Sequence, residues 1–161
     1  MLLPHTLCWN SNATVPSAET SLYVWNACPR RCSSGTPIPC GTGATYDACC
    51  GPLHRGARRA ETAVELMRSR YSAFALGHLD HLFRTWHPRT RPAGLLEDGL
   101  DPAREWTGLE VLDHGEDWVE FAAHHRETSP SGVVRTGTMR ERSRFERRAG
   151  HWVYVEGTFG G

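Results

Sequence analysis

The chain has 161 residues, 39% hydrophobic and 22% charged, enough for one domain with a real core and too few for two comfortable ones. Its 18 basic residues, all arginine, balance 18 acidic ones. That neutrality argues against nucleic acid or an anionic membrane as partner, and no apolar run reaches the ~18 residues a membrane-spanning helix needs.

Residues 1–35 are poor in charge, rich in Ser, Thr, Asn and Pro, and lack periodicity. They are expected to form a disordered extension. The N-terminus has no basic region, and Pro4 and His5 break its apolar run. It reads as neither signal peptide nor anchor, which points to the cytoplasm. Residues 36–56 are dense in Gly, Pro and Cys and can bury little apolar area, so something other than a core must order them. Residues 57–161 read as the folded domain.

Within that domain Thr62 and Glu65 form a Thr-x-x-Glu capping pattern. Val64, Met67, Tyr71 and Phe74 follow on one helical face, and Gly77 ends the helix near Leu76. A second helix carries Leu79, Leu82, Phe83 and Trp86 and stops before Pro88. Residues 88–104 read as a long loop. From Trp106 the pattern changes to strands. Leu109, Val111 and Asp113 share a face, and Val119 and Phe121 alternate in a short segment from Trp118. After a turn at Ser129-Pro-Ser-Gly, a long strand runs from Val133 to Phe145. Met139, Glu141, Ser143 and Phe145 face inward on it, and Arg140, Arg142 and Arg144 face solvent. Arg148-Ala-Gly makes the last turn, before a strand with Trp152, Tyr154 and Thr158. Helices followed by closely spaced antiparallel strands predict an α+β fold with the helices on one face of the sheet.

The six cysteines, Cys8, Cys28, Cys32, Cys40, Cys49 and Cys50, all lie within the first 50 residues. A disulfide scaffold spreads its cysteines through the fold it staples, so clustering at one end favours metal. Cys40, Cys49 and Cys50 supply three thiolates of a four-ligand zinc site, with Gly41 and Gly43 permitting the turn between them. A bond between adjacent Cys49 and Cys50 is disfavoured by strain. Cys32, Cys28 and His54 are candidates for the fourth ligand, and the flexible segment after Cys32 makes it the preferred one.

Cys40-Gly-Thr-Gly-x-x-Tyr46-x-x-Cys49-Cys50 resembles the SEC-C zinc motif, with Ile38 standing where the motif has its first cysteine. Further on, Ala63-Val-Glu-Leu-Met-Arg-Ser-Arg-Tyr-Ser-Ala-Phe, Thr85-Trp-His-Pro, Trp106-x-Gly-Leu, Glu141-x-Ser-x-Phe and Gly150-x-Trp-x-Tyr-Val resemble the YchJ family of uncharacterised bacterial proteins. Together the motifs cover about residues 36–159. The resemblance implies a SEC-C knuckle followed by a domain like nuclear transport factor 2, a cone of helices against a curved sheet. It implies a zinc ion and no particular reaction.

Such a cone commonly encloses a pocket. Its candidate lining is Arg70, Tyr71, Trp86, Trp106, Phe145 and Trp152, with Glu141 and His87 as weak catalytic candidates. An inward Glu141 needs a partner. A structural ion pair with Arg70 is preferred over an acid/base pair with His87. Arg68 and Arg70 do not share a helix face, so they make no joint anion clamp. His124 and His125 point oppositely along a strand. His78 and His81 can share a metal at i, i+3, but a solvated helix start is the preferred reading.

The expected function is therefore that of a non-enzymatic adaptor or scaffold. The knuckle would bind a protein partner, by analogy one of the export or translation machinery. The alternative is a cone-fold isomerase, dehydratase or hydrolase using Glu141 and His87. A third possibility is a redox switch in which thiol oxidation releases the metal.

Overall fold

A computed structural model describes residues 40–160. The expected disordered extension, Cys28, Cys32 and Ile38 lie outside these described residues. Four helices come first: α1 (Gly51–His54), α2 (Ala63–Leu76), α3 (Leu79–Arg84) and α4 (Leu95–Asp98). Four strands follow: β1 (Arg104–His114), β2 (Trp118–Thr128), β3 (Val134–Arg148) and β4 (His151–Phe159). They form one antiparallel meander in the order β1-β2-β3-β4.

Helix α2 starts and stops where its sequence says. The Thr62 hydroxyl accepts from the Glu65 amide at 3.1 Å, and Gly77 closes the helix at φ 79. That cap stabilises by about 1 kcal/mol. Leu66, Met67 and Tyr71 turn toward the sheet and pack with Leu109, Val119, Phe121, Phe145 and Trp152. A second cluster, Ala73, Leu82 and Leu95, joins α2 to α3 and α4. The segment after α3 runs along the sheet edge, with the His87 amide bonded to Tyr154 O and the Tyr154 amide to Thr85 O.

The long strand β3 has the expected alternation. Glu141, Ser143 and Phe145 are buried while Arg140, Arg142 and Arg144 are exposed. Arg140 and Arg144 pair with Glu120 and Glu156 on the solvent face. The β1–β2 register shifts between Trp106 and Gly108 and again between Val111 and Asp113, and β3–β4 shifts at Arg144/Phe145. Each shift adds local twist and bends the strands around α2. Two expectations change in extent. Residues 88–104 contain the short helix α4, and β2 continues past Ala122 to Thr128.

Candidate functional site

Two places on this scaffold concentrate chemistry. The first is the turn that opens the described chain. Cys40, Gly41 and Gly43 lead into the turn around Tyr46, whose carbonyl accepts from the amides of Cys49 and Gly51. Gly41 and Gly43 adopt φ 77 and 74, left-handed values that a side chain disfavours. A Cβ on Gly41 would also strike the Leu109 carbonyl, so the knuckle sits directly on β1. Helix α2 holds it from the other side: Arg68 donates to the Cys40 carbonyl and the Cys50 thiol donates to Arg68 O.

The three sulfurs of Cys40, Cys49 and Cys50 lie within 4.8 Å of one another. Cys40 Sγ is 3.8 Å from Cys49 Sγ, which is 3.7 Å from Cys50 Sγ. Zinc–sulfur bonds of about 2.3 Å in a tetrahedron place sulfurs about 3.8 Å apart, so these groups fit one metal ion. The Thr42 hydroxyl lies 3.3 Å from Cys40 Sγ and 3.5 Å from Cys49 Sγ. Cys40 and Cys50 divide a proton unequally. The neighbouring Cys50 holds the Cys40 thiol below its ordinary range, while Cys40 and burial push Cys50 above it.

Behind the sulfurs lies a histidine cluster. The imidazole rings of His78 and His81 sit 4.5 and 4.6 Å from that of His54. Ser69 O accepts from His54 Nε2 at 2.8 Å, so His54 Nδ1 is the acceptor for the Tyr46 hydroxyl at 2.9 Å. Tyr46 then accepts from His78 Nε2 at 3.0 Å. Ser69 Oγ donates to Leu66 O and accepts from His81 Nε2. The acceptor role of His54 Nδ1 requires a neutral ring, and burial favours neutral rings throughout, pushing His54 down to about 4, His81 to about 3, and His78 below its ordinary value.

This overturns the expected solvated start of the second helix. His81 is buried and bonded because Ser69, one helix away, offers it an acceptor. His54 has both ring nitrogens occupied and is not free to be the fourth ligand.

The second place is a cavity of about 340 Å³ between α2 and the curved sheet. Of the expected lining, Arg70, Tyr71, Trp86, Trp106 and Phe145 are there, and so is Glu141. Trp152 is not. It packs in the core between α2 and the sheet, away from the chamber, with its indole N–H on Glu61 O. His87 does not meet Glu141 either. It pairs with Glu146 at 3.0 Å and lies beside Arg148; Glu146, five residues from Glu141, faces the other way on β3. Glu141 instead accepts at Oε1 from Ser143 at 2.6 Å and Tyr154 at 3.1 Å.

Arg70 lies between the rings of Trp86 and Tyr154 and forms no contact ion pair with Glu141. Burial lowers Arg70 to about 10, and the nearby Glu141 carboxylate acts against that fall. Tyr154 was not among the expected lining residues. It stands opposite Phe145 on β4, and the register shift just after it sets it on the same sheet face as Glu141. His124 bonds Thr138 while His125 lies edge-on to Trp106, so the two do point apart.

With this geometry in place, the likeness to other proteins is informative. Residues 62–157 match the family described as YchJ, middle NTF2-like domain. A UPF0225 protein of Streptomyces coelicolor is 48% identical over 130 residues, covering 76% of this chain and 95% of that protein. One from Deinococcus radiodurans is 48% identical over 121 residues, covering 74% and 87%. The solution structure of a SEC-C motif containing protein from Rhodopseudomonas palustris superposes with a TM-score of 0.59 at 31% identity, covering 78% of this chain and all of that one. A crystal structure of a SEC-C motif containing protein from Psychrobacter arcticus gives 0.53 at 25% identity, covering 80% and 85%. The meander folded around α2 is thus an NTF2-like domain, its fold is shared by SEC-C motif containing proteins, and the chain belongs to the YchJ, or UPF0225, family.

Proposed function

We propose that Cys40, Cys49 and Cys50 hold a structural zinc ion, and that the zinc-bound knuckle is a docking element for a partner protein in the cytoplasm. The observation that carries the metal is the sulfur triangle, whose 3.8 and 3.7 Å edges match a tetrahedral thiolate site. Cys32 supplies the fourth ligand in this reading, since both nitrogens of His54 are engaged. When bound, the metal takes the place of the missing core under the turn. Residues 41–43, 45, 47 and 48 remain at the surface apart from Cys40 and Cys50, and they form the face offered to the partner. No helix among the described residues is long and apolar enough to cross a membrane. By the SEC-C analogy the partner belongs to the export or translation machinery.

Metal analysis of the purified full chain tests the site. One zinc per chain is expected in the wild type, Cys28→Ser and His54→Ala, with loss in Cys49→Ser and Cys32→Ser. Equal, substoichiometric zinc in wild type and Cys49→Ser would sink it. Affinity capture with the wild type and with Ala48→Arg, a change on the exposed face, tests docking. A partner held equally by both does not use that face.

The enzymatic reading asks for Glu141 and His87 on one cavity wall. His87 stands with Glu146 and Arg148 instead. What supports a second role is the cavity itself, as a binding chamber without that acid/base pair.

A further inference from the structure

The chamber contains two buried charged side chains, Arg70 at 5% exposure and Glu141 at 8%. Neither is fully partnered. The Arg70 guanidinium is stacked 4.7 Å from Trp86 and 4.6 Å from Tyr154, and only Nη1 has hydrogen-bond acceptors, Leu82 O and Thr85 Oγ1. Nε and Nη2 have none among the described residues. Glu141 accepts only through Oε1, which leaves Oε2 without a donor among the described residues. A donor edge and an acceptor edge therefore belong to one chamber without meeting. These open edges keep contact with water, which a ligand edge of matching donors and acceptors can replace, while the buried atoms without a partner in the chamber wall are the Tyr71 hydroxyl and the Trp86 indole N–H.

The place of Glu141 is also built for it. Gly157 stands beside it on β4, and a Cβ there would overlap the Glu141 carboxylate. Ser143 and Tyr154 then fix the carboxylate from two strands. Most of the remaining wall is apolar and aromatic, with Phe121, Phe145 and Trp106 in it, and Arg104, paired with Glu127, is the other charged residue there.

We infer that this chamber binds a small, net-neutral molecule with an amide-type edge on a flat apolar body. Its carbonyl oxygen accepts from Arg70 and its N–H donates to Glu141. Three features choose the class. Arg70 and Glu141 offset each other, and Arg104 in the wall is paired with Glu127, so the chamber has no excess charge to favour an ionic ligand. An adjacent acceptor and donor on the ligand complete the two edges the protein leaves open. Aromatic walls favour a flat body, and about 340 Å³ suits a molecule of one or two rings.

Three probes of one shape separate the alternatives: benzamide, benzoate and benzamidinium. They are titrated into the full-length, nitrogen-15-labelled chain while the indole N–H signals of Trp86 and Trp106 are followed, assigned with Trp86→Phe and Trp106→Phe. Benzamide should shift both signals saturably, with an affinity of about a millimolar for so small a ligand. Benzoate and benzamidinium should bind at least about tenfold more weakly, since each sets a like charge against Glu141 or Arg70. In Glu141→Gln, which removes the charge and keeps the size, the handicap of benzoate should fall below about threefold. The proposal is overturned if no probe gives saturable shifts, if a charged probe binds as well as benzamide, or if the benzoate ratio is unchanged in folded Glu141→Gln. If that variant does not fold, the ranking of the probes on the wild type alone decides.

Discussion

Between α2 and the sheet, Leu66, Val119, Phe121, Phe145 and Trp152 are buried together, each side chain contributing about 1.5–3 kcal/mol by leaving water. Around residues 40–50 the buried cluster is only Cys40, Tyr46 and Cys50. That part of the chain is held by polar contacts: Arg68 on the Cys40 carbonyl, Tyr46 between two histidines, and three sulfurs at metal-ligand spacing. The difference shows two ways of ordering backbone in one small protein. A segment too rich in glycine to build a core becomes ordered where ligands replace apolar area. The same contrast separates the two candidate sites, since the knuckle gathers its groups for an ion while the chamber keeps its charged groups apart.

Removing the metal should break the comparison open most widely. Structural zinc contributes on the order of 10 kcal/mol, so chelation should make the amides of residues 42–56 exchange rapidly. Amides at the centre of β2 and β3 should stay protected, because their core does not depend on the metal. Equal loss of protection in both regions would show that the two are not held by separate forces. The converse change is Phe145→Ala. It empties a fully buried site and should cost about 3–5 kcal/mol in chemical denaturation while zinc stoichiometry stays at one.

Acid should act through His81. Its folded value, about 3, lies below the ordinary 6.5, so between those values the unfolded chain takes up a proton that the folded one refuses. The contribution is complete above pH 6.5 and is lost as pH falls, by roughly 1.4 kcal/mol per pH unit. Stability of the wild type should therefore fall more steeply between pH 6 and 4 than that of His81→Gln, which keeps a donor for Ser69. Parallel curves would mean that His81 is not held neutral. The smallest effect belongs to Tyr46→Phe. It leaves His54 Nδ1 without its donor and should cost about 1–3 kcal/mol, with zinc retained. A variant that loses zinc instead would make the tyrosine part of the metal site and not a tie behind it.

Much of the architecture can be read from local signals. Thr62, Glu65 and Gly77 mark both ends of α2, and the alternation of arginines with Glu141, Ser143 and Phe145 reveals which face of β3 is buried. Cys40, Gly41, Gly43, Tyr46, Cys49 and Cys50 mark the thiol turn. What escapes is set by partners distant in sequence. His81 looks like a solvated residue beside Asp80 until Ser69 on the neighbouring helix accepts its hydrogen bond. Leu95–Asp98 is a single helical turn among prolines and glycines, too short to show a period. The sequence points to a cation as the partner of Glu141, yet one carboxylate oxygen accepts from Ser143, two positions along the same strand face, and from Tyr154 across the strand pair. Ser143 was within reach of sequence reasoning. Tyr154 was not, because its position depends on the register shift in β4.

The zinc-edge X-ray absorption spectrum of the purified full-length protein tests the metal-held knuckle most directly. A four-coordinate zinc with at least three sulfur neighbours at about 2.3 Å is the predicted result, and those sulfurs should be lost in Cys50→Ser. A zinc shell made only of nitrogen and oxygen, or one unchanged by Cys50→Ser, would contradict it.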